Sequence, residues 1–304
     1  MKGVVRLVKI ATTWLCCCSG CHVSVLDLHE RLLDLLGDAE LVHCPVLMDT
    51  KEIPEDVDVV LIEGGIRNEE NVEVAEEFRE RAEIVVAVGT CACYGGVPGL
   101  ANLYSNEELL RTVYVETAST ENEDGVIPSE DVPELTWRVR PLSDVIDVDY
   151  ELPGCPPEPD LIADAVTAIL DGREPELSTT NLCEECPRKK EETVIHEIRR
   201  PVEGEPDPDR CLLEQGYPCM GPATRAGCGA RCPEAGVPCA GCAGPAGEIP
   251  DQGAEMMSAI ASIFRADVDD VDPSELVESV PDVVGWFYRF TLAGSLMPFR
   301  VDRE

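Results

Sequence analysis

The stretch Cys211–Cys242, CLLEQGYPCMGPATRAGCGARCPEAGVPCAGC, carries six cysteines: Cys211, Cys219, Cys228, Cys232, Cys239 and Cys242. Cys183 and Cys186, in LCEEC, stand just upstream. No apolar period of 3.6 or 2 runs through this region, and Gly, Pro and Cys dominate it. Such a segment cannot bury enough apolar surface to offset the entropy of ordering its backbone. Disulfides, zinc or iron–sulfur clusters must tie it together. Eight cysteines are two sets of four, the number that two tetrahedral zinc ions or two cubane clusters take.

The whole chain has 304 residues and 16 cysteines. Its first residues, MKGVVRLVKIATTWLCCC, have Arg6 and Lys9 breaking the apolar run, with no small-residue cleavage site and no twin-arginine leader. No run of apolar residues is long enough to span a membrane. A cytoplasmic protein is expected, and cytoplasmic cysteine clusters favour metal over disulfides. The net charge of −36 argues against nucleic acid, whose phosphates need cationic partners. It fits a well-solvated surface in a salty cytoplasm that screens self-repulsion.

The elements that must position these thiols alternate. Residues 4–10 read as a strand, and the loop TTWLCCCSGC follows. SVLDLHERLLDLLG reads as one helix, with Ser24 as N-cap, Val25, Leu28, Leu32 and Leu36 on one side, and Gly37 as its stop. LVHCPVL and VDVVLIEGG are strands, NEENVEVAEEFRERA a helix, EIVVAVGTCACYGG a strand entering a glycine turn, and SNEELLRTVY a short helix. Residues 115–144 are acidic and irregular, with Pro128 and Pro133, as an insertion or surface loop would be. VIDVDYELPGCPP is a fifth strand and turn, and EPDLIADAVTAILDG a helix closed by Gly172. This order predicts an α/β domain with a parallel sheet covered on both faces.

On that sheet Cys18 and Cys21 follow the first strand, Glu63 closes the third, Cys91 follows the fourth and Cys155 the fifth. All lie at carboxyl ends of strands, the edge where open α/β sheets bind ligands, so four thiolates from separate loops can converge there. Spacing alone does not choose between Cys91 and Cys93. Glu63 either hydrogen-bonds near such a site or caps a turn. Cys44, inside an apolar strand, reads as buried filler. His22, His29, His43 and His196 have no ligand-like spacing, and Gly95 and Gly96 read as a tight turn. The expected division is residues 1–175, a cysteine-rich domain 176–250 and a helical tail 251–304. The tail opens with DQGAEMMSAIASIFRAD, where Met256, Met257, Ile260 and Phe264 are roughly in phase. Its aromatic end, VVGWFYRFTLAGSLMPF, either packs on its own domain or meets a partner.

The motifs TTWLCCCSGC, IEGG, GTCACYGG, PGCPPEP, CLLEQGYPC and PCAGC together resemble the small (gamma) subunit of nickel–iron hydrogenases. The nearest pattern is that of the cytoplasmic, methyl-viologen-reducing (deazaflavin-non-reducing) group of methanogens. The resemblance implies a flavodoxin-like domain followed by an iron–sulfur domain with little regular structure. It implies a partner large subunit that holds the nickel–iron centre, since this chain lacks the paired C-x-x-C motifs that would hold it. No catalytic residue is then expected here; the chain carries electrons to a downstream acceptor, such as a subunit of a heterodisulfide reductase complex. By resemblance, Cys18, Cys21, Cys91 and Cys155 hold a proximal 4Fe–4S cluster. Cys183, Cys186, Cys211 and Cys219 hold a distal one, and Cys228, Cys232, Cys239 and Cys242 a medial one. Cys16, Cys17, Cys44 and Cys93 remain outside the three sets.

Three positions depart from the family pattern. Cys183 stands where many members have histidine, which should make the distal cluster more electron-rich. Cys17 stands where many have a glutamate, which puts a proton route through that glutamate in doubt. Cys232 stands where many have the proline that goes with a three-iron medial cluster, so a four-iron cluster is expected. The alternatives are the small subunit of the deazaflavin-reducing hydrogenase, a cluster subunit like that of complex I, and a zinc-stapled interaction module.

Overall fold

In a computed structural model, residues 6–191, 194–195, 197–200, 202–263, 280 and 282–297 are described. The chain forms two compact units, one of Met1–Pro175 with Leu292–Glu304 and the other of Glu176–Thr291.

The first unit is built on five apolar strands: β1 (Val8–Trp14), β2 (Ala39–His43), β3 (Val57–Glu63), β5 (Ala82–Val88) and β7 (Tyr150–Leu152). They form one parallel sheet in the order β2-β1-β3-β5-β7. Val60, Ile62, Val85, Val86 and Ala87 are fully buried, as strands covered on both faces must be. The chain steps outward from β1 to β2 and then back across to β3. The direction of winding therefore reverses at the β1–β3 pair, where Trp14 lies opposite Glu63. The crevice beyond the carboxyl ends of these strands is the place for a ligand in a doubly wound sheet.

The helices follow the expected order with corrections. The helix read over residues 24–37 is two: α1 (Gly20–Leu26) and α2 (Glu30–Asp38), broken where His29 takes φ +51°. Ser24 is not a cap. It is buried within α1 and donates to the Pro157 carbonyl at 2.6 Å, tying that helix to the loop after β7. α3 (Glu69–Arg81) is capped by Asn68, whose side chain accepts from Asn71 N–H, and it seats Phe78 in the core. α5 (Asn106–Arg111) begins with a full Ser105–Glu108 capping box. α6 (Pro159–Leu170) buries Ile162, Val166 and Ile169 along one side. Only part of 115–144 is irregular. Leu135–Arg140 forms β6, antiparallel to β4 (Ile66–Asn68). Asn102 fastens it, accepting from Val139 N–H at 2.7 Å and donating to its carbonyl at 3.0 Å. A strand of three charged or polar residues among six, held by a distant asparagine, has no apolar run to announce it.

The second unit has short turns and few helices. α7 (Arg231–Glu234) is a single turn, α8 (Gln252–Ile263) buries Met256 and Ile260, and α9 (Val283–Phe287) buries Gly285 and Phe287. Met257 is exposed rather than in phase with them, and Phe264 lies outside the described residues. Most of the aromatic end packs within its own chain: Phe287, Tyr288 and Phe290 are buried, while Leu296 and Met297 are exposed. Among the described residues, no helix is long and apolar enough to cross a membrane.

Candidate metal centres

The loop after β1 is held to the end of β3 by main-chain bonds. Leu15 N–H donates to the Glu63 carbonyl at 2.8 Å, and Cys16 and Gly65 exchange bonds of 3.0 and 3.1 Å. The loop after β5 is locked to that after β7 in the same way. Thr90 N–H donates to the Gly154 carbonyl at 2.8 Å, and Gly154 N–H donates to Thr90 Oγ1 at 2.9 Å. Short α4 (Thr90–Tyr94) then presents Cys91, while Cys93 is buried and its thiol donates to the Ala87 carbonyl at 3.5 Å. Cys91 thus faces the crevice and Cys93 the core.

The structure gathers Cys18, Cys21, Cys91 and Cys155 at this edge. Burial pushes the Cys91 thiol up to about 12, with Cys155, Cys18, Cys16 and Cys17 adding to it. Burial likewise raises Cys21, helped by Glu63 and then by Cys91 and Cys155. Cys155 is raised by burial and by Cys18. Backbone without side chains makes room for these sulfurs. A Cβ at Gly89, where φ is +85°, would strike Cys21 Sγ, and one at Gly96, where φ is +57°, would lie 2.5 Å from Cys91 Sγ.

Beneath the thiols lies a group that periodicity does not mark as functional. Glu63 is 2% exposed, and His22 Nδ1 sits 2.9 Å from its Oε1 as an ion pair without hydrogen-bond alignment. His22 N–H donates to Oε2 at 3.2 Å, and Cys17 Sγ–H to Oε1 at 3.3 Å. Burial works against a charged His22 ring, but Cys44 and Glu63 outweigh it and lift His22 to about 9. Burial would also raise Glu63, but His22, Cys17 and Cys21 hold it below its ordinary 4.5. Glu63 therefore hydrogen-bonds at the site rather than merely capping a turn. Cys44 is buried, as a filler residue would be. Burial opposes its ionisation, yet His22, Thr12 and the N–H groups of Val46 and Leu47 bring it down to about 7. His43 is structural: its ring bonds the Thr12 carbonyl at 2.9 Å and meets Phe78 edge-on. His29 is exposed at the helix break, and His196 lies outside the described residues.

In the second unit, Cys183, Cys186, Cys211 and Cys219 line one cavity. Asn181 fixes the first turn by accepting from Cys183 N–H at 3.1 Å, and Cys211 N–H donates to the Lys189 carbonyl at 2.8 Å. Burial pushes Cys219 to about 11 against N–H donors from Gly221 and Cys239, while Cys183 and Cys211 push it further. Of the remaining set, Cys239 is raised by burial and then by Cys219 and Cys242, and Gly241 N–H donates to its sulfur at 3.4 Å. Gln252 holds the Gly241 carbonyl at 3.0 Å from below. Cys228 precedes α7, and Cys232 is exposed on α7 itself.

Among the described residues, no three His, Cys, Asp or Glu side chains gather tightly enough to hold a single metal ion. A cubane cluster takes four thiolate ligands, one at each corner. An all-sulfur donor set of this kind suits iron–sulfur clusters and zinc alike.

A parallel sheet with a thiol set at its carboxyl edge, followed by a cysteine-rich unit, is the arrangement expected of the small subunit of a nickel–iron hydrogenase. Known proteins agree with this. Residues 18–169 match the family described as NADH ubiquinone oxidoreductase, 20 Kd subunit. The chain is 54% identical over 303 residues to the G subunit of the F420-non-reducing hydrogenase of Methanothermobacter marburgensis, covering 98% of each chain. It is 52% identical over 290 residues to the G subunit of the vhu F420-non-reducing hydrogenase of Methanocaldococcus jannaschii, covering 95% of this chain and 96% of that one. A solved structure of an NAD+-reducing NiFe hydrogenase in its H2-reduced state matches with TM-score 0.54 and 40% identity, over 56% of this chain and 95% of that one. The protein belongs to the family formed by the G subunits of F420-non-reducing hydrogenases, and as such is the electron-transfer subunit of a NiFe hydrogenase.

Proposed function

We propose that this chain carries electrons from hydrogen oxidation in a nickel–iron large subunit through three 4Fe–4S clusters to a separate acceptor protein, such as a subunit of a heterodisulfide reductase complex. Cys18, Cys21, Cys91 and Cys155 would hold the proximal cluster; Cys183, Cys186, Cys211 and Cys219 the distal one; Cys228, Cys232, Cys239 and Cys242 the medial one. The observation that carries this is the convergence of Cys18, Cys21, Cys91 and Cys155 from the ends of three strands. Each cluster, when bound, supplies a one-electron store. The protein's part is to bury the sulfurs, exclude water and aim N–H groups at them, as Cys239 N–H is aimed at Cys219 Sγ at 3.3 Å. Burial raises these thiols, so a bound metal centre would stabilise the thiolates where solvent cannot.

Anaerobic purification from cells should bring down this chain in a brown complex with a nickel-containing large subunit. Hydrogen should bleach that colour. A colourless chain that purifies alone with zinc would overturn the proposal.

A further inference from the structure

Four thiolates outweigh the positive charge of a cubane core, so the group that Cys183, Cys186, Cys211 and Cys219 would hold is a net anion. Thiolate in place of a neutral imidazole at position 183 makes it more so. A buried anion is costly unless countercharge lies beside it. The chain as a whole is poorly supplied with countercharge, with 24 Lys and Arg against 60 Asp and Glu. Yet among the described residues this cavity is lined by two cations, Arg188 and Lys190, and by no carboxylate.

Both cations are placed by the backbone. Lys189 N–H donates to the Asp209 carbonyl at 2.8 Å, and Cys211 N–H returns a 2.8 Å bond to Lys189. This short parallel bridge runs residues 188–190 alongside 209–211, so the cations arrive with the thiol. Arg188 is 9% exposed, and its guanidinium donates to the carbonyls of Pro233 (2.7 Å), Asp207 (2.6 Å) and Arg210 (3.1 Å). These partners are dipoles, and among the described residues no carboxylate pairs with the guanidinium. Lys190 and Cys183 line the same cavity, and the ammonium charge there favours the Cys183 thiolate against the burial that raises it.

We propose that Lys190, backed by Arg188, holds up the reduction potential of the distal cluster by placing positive charge beside Cys183. Net charge and hydrogen bonds to sulfur are the means by which a protein sets such potentials. The lysine offsets the fourth thiolate and keeps this site able to accept electrons from its neighbours. The inference rests on the assignment of these four cysteines to a cluster.

The test is Lys190→Met and Lys190→Arg in the intact hydrogenase complex. Each would be titrated anaerobically with reductant while electron paramagnetic resonance follows every cluster, with iron counted in the same samples. Lys190→Met should lower the midpoint of one cluster and leave the others in place, with iron unchanged. Lys190→Arg should restore most of the shift. Midpoints that do not move, that all move together, or iron lost from Lys190→Met would overturn the role of the lysine. Cys211→Ala separates the cluster from the lysine. If it keeps its full iron, the cluster assignment fails; if it loses one cluster that Lys190→Met does not shift, only the lysine's role fails.

Discussion

Cys18→Ala in the assembled enzyme should abolish hydrogen-dependent viologen reduction while about eight of the iron atoms remain with the chain. The reason is positional. Cys18 is exposed at the carboxyl edge of the sheet, just past the switch point between β1 and β3. Its charge acts on Cys91 and Cys155, so it shares their site. The eight cysteines assigned to the other two clusters all lie in the separate compact unit Glu176–Thr291 and have their own supporting bonds. That unit should keep its clusters while the path into them is cut. Cys93→Ala is the matched control, because that thiol faces the core; its clusters should be intact. Undiminished activity in purified Cys18→Ala complex would refute the assignment.

His22→Leu should destabilise the first unit by about 3–5 kcal/mol, the usual cost of removing one partner from a buried ion pair. Glu63 would be left as a buried anion with its cation gone. His22→Leu combined with Glu63→Gln should recover most of the loss, since removing both partners leaves no uncompensated charge. The effect has a pH window. His22 is raised from 6.5 to about 9, so its contribution is complete below about pH 6.5 and is lost as pH rises through about 9. Glu63 is lowered from 4.5, so its contribution is complete above 4.5 and is lost in acid as pH falls through its depressed value. Denaturant unfolding of the two variants across this range would measure it. Equal stability of His22→Leu and wild type near pH 6 would show that the pair is not coupled.

The sheet is legible in the sequence because its strands are nearly continuous apolar runs bounded by glycine turns, and the cysteines after β1, β5 and β7 advertise the edge. What escapes is polar and nonlocal. β6 has no apolar run and depends on Asn102, 37 residues from its partner Val139. The helix break at His29 needs a positive φ that no local residue announces. His22 looks like any core histidine, because Glu63, its partner, is 41 residues away along the chain. Lys190 likewise has meaning only once the turn of residues 209–211 is laid beside it. Ser24 misleads for a related reason: an N-cap and a buried tether to Pro157 call for the same residue type.

The number of clusters is the central claim, and one measurement addresses it most directly. Iron and acid-labile sulfide would be determined on anaerobically purified complex, per mole of this chain and corrected for the large subunit. Three full sets of cysteine ligands predict about twelve of each. A three-iron medial cluster, with Cys232 unligated, would leave about eleven iron. A value near four, meaning a single cluster at the sheet edge and a second unit stapled by something else, would contradict it.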